Sequence, residues 1–232
     1  TISLSCCNSY NDGRDRRMNL QGATASFDNY GLVTTSASSD IGHIGIPFNN
    51  NGTVTTAGQA LYISNGGYSS GVFQPGSAQP IVFESGTSTL SSLSSITSGV
   101  VVVTGGVVNV RSSFQNSGYL RVSGGLANLL SGVSFTNTAT QSLQVTGGTL
   151  LFHYGINLDH PALLIGGGTL DMGDAMHDIQ DVTQSGGTLT GTQNATIWGT
   201  YRWTGGAMAG VGTTVVQGKL LVSSASSTTF AR

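Results

Sequence analysis

Ser98-Gly99-Val100-Val101-Val102-Val103-Thr104-Gly105-Gly106 and Ser117-Gly118-Tyr119-Leu120-Arg121-Val122-Ser123-Gly124-Gly125 are near-copies nineteen residues apart. Each sets a short apolar run against a pair of glycines. Marking the second glycine of every such pair gives Gly67, Gly106, Gly125, Gly148, Gly168, Gly187 and Gly206, and Gly86 of Ser85-Gly86-Thr87 fills the one gap. The successive intervals are 19, 20, 19, 23, 20, 19 and 19 residues. Self-similarity at a fixed period of this size marks a repeat architecture whose layers each pack only on their neighbours.

The residues beside the glycines say which kind. Two and four positions before the first glycine lie Val103 and Val101, Val122 and Leu120, Val145 and Leu143, Ile165 and Leu163, and Trp203 and Tyr201. Three positions after it come Val108, Ala127, Leu150, Leu170, Leu189 and Met208. Apolar residues alternating on both sides of a glycine corner predict half-buried strands rather than helices. Glycine suits such a corner, where the chain must turn, because φ > 0 is open to it. The expected fold is all-β: a parallel β-solenoid of 19–20-residue rungs over residues 27–222, with right-handed as the expected hand. Residues 1–26 read as a cap or junction with a preceding repeat, and 223–232 as a junction or tail.

A second marker, Phe-x-Asn-x-Gly, occurs at Phe27–Gly31, Phe48–Gly52 and Phe114–Gly118. Its aromatic is expected in the core, with Asn and Gly shaping the next corner. The 23-residue interval predicts about four extra residues near Leu130–Asn137, a bulge or small loop.

Composition excludes several classes. Only 8% of residues are charged, and the net charge is −2. Ser and Thr number 30 and 28, so the surface is largely neutral hydroxyl and amide. Nucleic-acid binding needs clustered Lys and Arg, and this chain has one lysine, Lys219. The basic run Arg14-Asp15-Arg16-Arg17 reads as a solvated turn. No apolar run approaches the ~18–20 residues of a membrane span. The adjacent Cys6-Cys7 make neither a disulfide framework nor a metal site by themselves. The start at Thr1 reads as a mature product or an excised fragment.

Units reading Asn-x-Gly-x-Leu-x-Val-x-Gly-Gly resemble the β-helical segments of bacterial autotransporter passengers and filamentous-haemagglutinin-type adhesins. The stretch from Trp203 to Thr214 also resembles a motif in tandem repeats of giant secreted surface proteins. The resemblance covers most of residues 27–222 and implies an extracellular stalk or adhesive fibre. Lys219-Leu220-Leu221-Val222-Ser223-Ser224 followed by Arg232 loosely echoes Thr1-Ile2-Ser3-Leu4-Ser5 followed by Arg16-Arg17, as expected for one unit of a head-to-tail array.

Right-handed β-helices also include polysaccharide lyases and hydrolases, whose chemistry needs carboxylates converging from neighbouring rungs. Asp159 and Asp178 are 19 apart and should stack, with His160 and His177 beside them and Asp174 and Asp181 near. Stacked carboxylates repel, which raises one pKa or recruits a cation. This is the candidate metal or acid–base cluster, set against a polar turn facing water. Asn109 and Asn128 are expected to form an amide ladder. Thr149, Thr169 and Thr188 form an outward row too short to match an ice lattice. Tyr201 and Trp203 fall on the inward phase, whereas Trp198, Tyr68 and Tyr119 are unconstrained and could stack on sugars. Asn51-Gly52-Thr53 and Asn194-Ala195-Thr196 are glycosylation acceptor sequons.

The expected function is therefore a structural or adhesive segment of a large extracellular or cell-surface protein, without enzymatic activity or cofactor. Its partners are neighbouring repeats, copies of itself end to end, and surface glycans. The alternatives are a polysaccharide-active enzyme and a non-catalytic glycan-binding module.

Overall fold

A computed structural model of the chain describes residues 2–4, 16–18, 25–35, 42–76, 78–115, 118–135, 143–154, 156, 162–223 and 229–230. The described residues contain no helix, and parallel strands stack into a β-solenoid of about nine turns. Each full rung contributes three short strands, so the coil has three faces.

The face before the glycine corner runs Gly42–Ile44, Leu61–Ser64, Ile81–Ser85, Val100–Val103, 119–122, 143–145, Ala162–Ile165, Asp181–Gln184, Thr200–Trp203 and Lys219–Val222, each parallel to the next. The face after the corner runs from Phe27–Asn29 through Val107–Val110 and Thr188–Thr190 to Thr229–Phe230. Strands Tyr119–Leu129 and Leu143–Phe152 pass unbroken through the corner and join these two faces into one 20-stranded sheet. The third face is a 7-stranded sheet from Ile2–Leu4 to Ser134–Phe135 and a 3-stranded sheet of His177–Ile179, Ala195–Ile197 and Thr214–Val216.

The glycines do line up. Gly106, Gly125, Gly148, Gly168 and Gly187 all have φ between 62° and 65°. A Cβ on Gly148 would lie 2.5 Å from the carbonyl carbon of Gly124, and one on Gly168 would lie 2.5 Å from that of Gly147. Such closeness admits no side chain, so successive corners nest backbone on backbone. One marker is displaced. Gly86 sits over Asn65 and Gly66, whereas Gly67 already belongs to the strand Gly67–Ser69. The offset there rises from 20 to 21 residues, because a register shift between Phe83 and Ser85 inserts one residue, Glu84, and Gly67 pairs with Ser88.

The alternation points inward as read. Val101, Val103, Leu120, Val122, Val145, Ile165, Val108, Ala127, Leu150, Leu170 and Leu189 are all buried in one continuous core. Burying each Val or Leu contributes about 2 kcal/mol, and no single rung could gather enough of them to fold alone. Tyr201 and Trp203 join this core fully buried, with rings stacked at 6.3 Å.

The Phe-x-Asn-x-Gly marker divides. Phe27 and Phe48 pair in register after the glycine corner, but Phe114 lies on the third face. Asn29 and Asn50 are buried, and Asn29 Nδ2 donates to Asn50 Oδ1 at 2.8 Å. Asn29 Oδ1 accepts from the Gly31 amide and Asn50 Oδ1 from the Gly52 amide, which builds the corner as expected.

The 23-residue interval splits in two. Leu129 to Phe135 spans two residues more than Val110 to Phe114, and Phe135 to Leu143 spans two more than Phe114 to Leu120. The columns also pass both expected limits of the coil: Ile2–Leu4 pairs with Val33–Thr35, and Thr229–Phe230 with Ala207–Met208. Arg16 and Arg17, expected in a solvated turn, lie instead in strand Arg16–Met18, paired with Gly42–Ile44.

Candidate functional site

Half of the expected polar cluster can be placed. Asp159 and His160 lie outside the described residues. His177 and Asp178 are consecutive in strand His177–Ile179, so their side chains leave opposite faces of the sheet. His177 points inward, 3% exposed, with its ring edge-on to Phe152 at 5.4 Å. Neither ring nitrogen has a hydrogen-bond partner. Burial pulls the imidazole below the ordinary histidine range. The Met172 backbone and the Asp174 and Asp178 charges oppose that shift, the Met172 group without hydrogen-bonding geometry. Asp174 and Asp178 are exposed, and Asp181 is turned to its neighbour, its Oδ1 accepting from the Thr200 amide at 2.6 Å. His177 and Asp178 therefore share no site. Among the described residues no group of three or more His, Cys, Asp or Glu side chains could hold a metal ion.

A convergent polar group does occur elsewhere. His43, Ser64 and Glu84 come from three successive rungs of the face before the corner. His43 Nε2 lies 2.7 Å from Glu84 Oε2 and 2.7 Å from Ser64 Oγ, and Ser64 Oγ lies 2.7 Å from the same carboxylate oxygen. Glu84 is the chain's only glutamate and the residue inserted at the register shift, and a bulge of this kind re-aims a side chain. The group resembles a hydrolytic triad in composition but not in connection. A relay needs the carboxylate on one imidazole nitrogen and the hydroxyl on the other. Here both crowd Nε2, while Nδ1 is buried without a partner. The arrangement ties three rungs together and leaves Ser64 without an oriented base. The intervals of 21 and 20 residues were the available sequence signal.

Beside it, Val82, Val100 and Val102 point away from the core yet are 3–5% exposed, with Tyr62 and Tyr119 packed against them. The outward row before the corner is thus partly apolar. After the corner, Asn128 Nδ2 donates to Asn109 Oδ1 at 2.8 Å, the expected amide ladder. Thr149, Thr169 and Thr188 pair in register, with Leu126 before them and Ala207 after them.

Both sequon asparagines are exposed at corners. Asn51 Oδ1 accepts from Ser70 Oγ at 2.7 Å, and Asn194 Oδ1 from the Thr213 amide at 3.2 Å. Trp198 is 55% exposed and Tyr68 49%, whereas Tyr119 is partly buried. Among the described residues no helix is long and apolar enough to cross a membrane.

Comparison with family models, with curated proteins and with solved structures finds no match to this chain. The fold therefore defines the class, a repeat-built parallel β-solenoid.

Proposed function

We propose that the chain is a structural or adhesive segment of a large extracellular or cell-surface protein, a stiff coil that stacks end to end with further repeats or with copies of itself. The observation that carries this reading is an exposed apolar edge at strand Lys219–Val222. Leu220 pairs in register with Tyr201 and Val222 with Trp203, so both belong to inward columns. Yet Leu220 is 49% and Val222 50% exposed, beside a cleft of about 380 Å³ lined by Tyr201, Trp203, Met208, Val211, Val216 and Leu220. An apolar strand edge exposed to water is a surface made to pair. The neutral hydroxyl coat and the scarcity of charge support a passive fibre, as does the resemblance to autotransporter passengers and filamentous adhesins.

The test is sedimentation velocity with small-angle scattering over a wide concentration range. Growth in length at constant cross-section, lost in Leu220→Glu/Val222→Glu, is expected. A monomer at every concentration would contradict the proposal, and surface labelling of intact source cells checks the location.

A further inference from the structure

A second feature lies on the side of the coil, at the corner joining the third face to the face before the glycine pair. Three consecutive rungs place Gln180, Trp198 and Gln217 there in step: the Trp198 amide donates to Ile179 O at 2.9 Å and the Gln217 amide to Ile197 O at 2.8 Å. All three side chains are exposed. We infer that they form a platform on which the pyranose ring of a neutral glycan stacks.

The chain's two tryptophans make the contrast. Trp203 is fully buried, whereas Trp198 presents more than half of its surface to water. Among the described residues nothing accepts a hydrogen bond from its indole N–H. An indole combines a large apolar face with a polar edge, which suits a ligand that is apolar on one side and wet on the other.

The positions next to the ridge are glycines. A Cβ on Gly199 would lie 2.5 Å from Asp181 Oδ1 and 2.9 Å from Gln180 Nε2, so a carboxylate and the Gln180 carboxamide both lie over the bare backbone next to Trp198. A Cβ on Gly218 would strike the Trp198 carbonyl oxygen at 2.3 Å. The ridge thus sets an exposed indole next to backbone bare of side chains, between the exposed glutamines of the two adjacent rungs. Each carboxamide offers both a donor and an acceptor, which is what a ring of hydroxyls needs.

Other ligand classes fit less well. The carboxylate nearest in sequence, Asp181, is engaged by the Thr200 amide, and Lys219 is the only lysine, so no basic track exists for nucleic acid. The surround of glycine, threonine, amide and the Asp181 carboxylate lacks the apolar area that a protein interface would bury at its centre. The site is lateral, so it does not depend on end-to-end stacking.

Trp203 is shielded, so acrylamide quenching of fluorescence reports on Trp198. The purified chain is titrated with hexaoses of β-1,4-linked glucose, α-1,4-linked glucose and β-1,4-linked N-acetylglucosamine. At least one is expected to protect Trp198 and shift its emission to the blue, saturably, with a Kd of about 1 mM for a contact centred on one ring. Trp198→Ala should abolish binding with an unchanged far-ultraviolet spectrum, Trp198→Phe should retain part of it, and Gln180→Ala or Gln217→Ala should weaken it by about tenfold or less. No protection by any of the three at about ten times that concentration, or saturable binding that survives Trp198→Ala, would overturn the inference. Sedimentation of Trp198→Ala should match wild type, so a failure here leaves the assembly reading standing.

Discussion

A β-carbon on Gly125 would sit 2.6 Å from the carbonyl carbon of Gly105, in the corner one rung below. The same residue holds φ at 63°. Two independent constraints, left-handed backbone and no lateral room, thus fall on one position. Gly132 separates them: its φ is 97°, but nothing lies within 4 Å of where its Cβ would be. Gly132→Ala should lose about 1–2 kcal/mol through conformation alone. Gly125→Ala adds a backbone clash and should lose at least about twice as much. Urea unfolding of the two variants checks the order, and equal losses would deny the nesting.

His177 makes the coil sensitive to acid. Its folded pKa is lowered, so the unfolded chain binds the proton more readily. Its contribution is complete above the unfolded value of about 6.5 and is lost as pH falls below it. His177→Phe keeps an aromatic beside Phe152 and removes the titration. Thermal unfolding between pH 7.5 and pH 5 should therefore fall less steeply in the variant, and parallel curves would show that the imidazole is not held neutral inside.

The buried amides of Asn29 and Asn50 predict a coupled pair. Asn50→Ala removes one of the two acceptors of Asn29 Nδ2, leaving the Thr53 carbonyl, and the cap on the Gly52 amide. Buried polar groups left unpaired lose about 1–3 kcal/mol. Asn29→Ala in addition should cost less than the sum of the single changes. Additive losses in chemical denaturation would mean that the amides do not meet.

How much could be read from the chain alone follows the physics of each face. The faces flanking the glycine corner were legible because Leu120 and Val122, like Leu143 and Val145, alternate at period two and only glycine fits at the corner that follows. The third face was not. Its strands shrink to two residues, as in Ser95–Ile96 and Ser113–Phe114, too short for any alternation to register. The displaced marker at Gly67 had a related cause, since a bulge at Glu84 changes the register without changing the glycine spacing visibly. The His43–Ser64–Glu84 contact escaped notice because three rungs each supply one member, and its polar residues lie among many others in a hydroxyl-rich chain. The 19-residue spacing pairs Asp159 with Asp178 and sets His177 beside them, but strand parity sends the His177 side chain inward and that of Asp178 out.

The in-register parallel stack is tested most directly by disulfide trapping on its outer surface. Asn109, Asn128 and Leu151 pair in register on successive rungs. Neighbouring rungs are about 4.8 Å apart, within disulfide reach, and alternate rungs are about 9.6 Å apart, beyond the limit of about 7 Å. With Cys6 and Cys7 changed to Ser, the double variants Asn109→Cys/Asn128→Cys and Asn128→Cys/Leu151→Cys should oxidise readily, and Asn109→Cys/Leu151→Cys should not. Failure of both neighbouring pairs, or equal oxidation of all three, would contradict the coil.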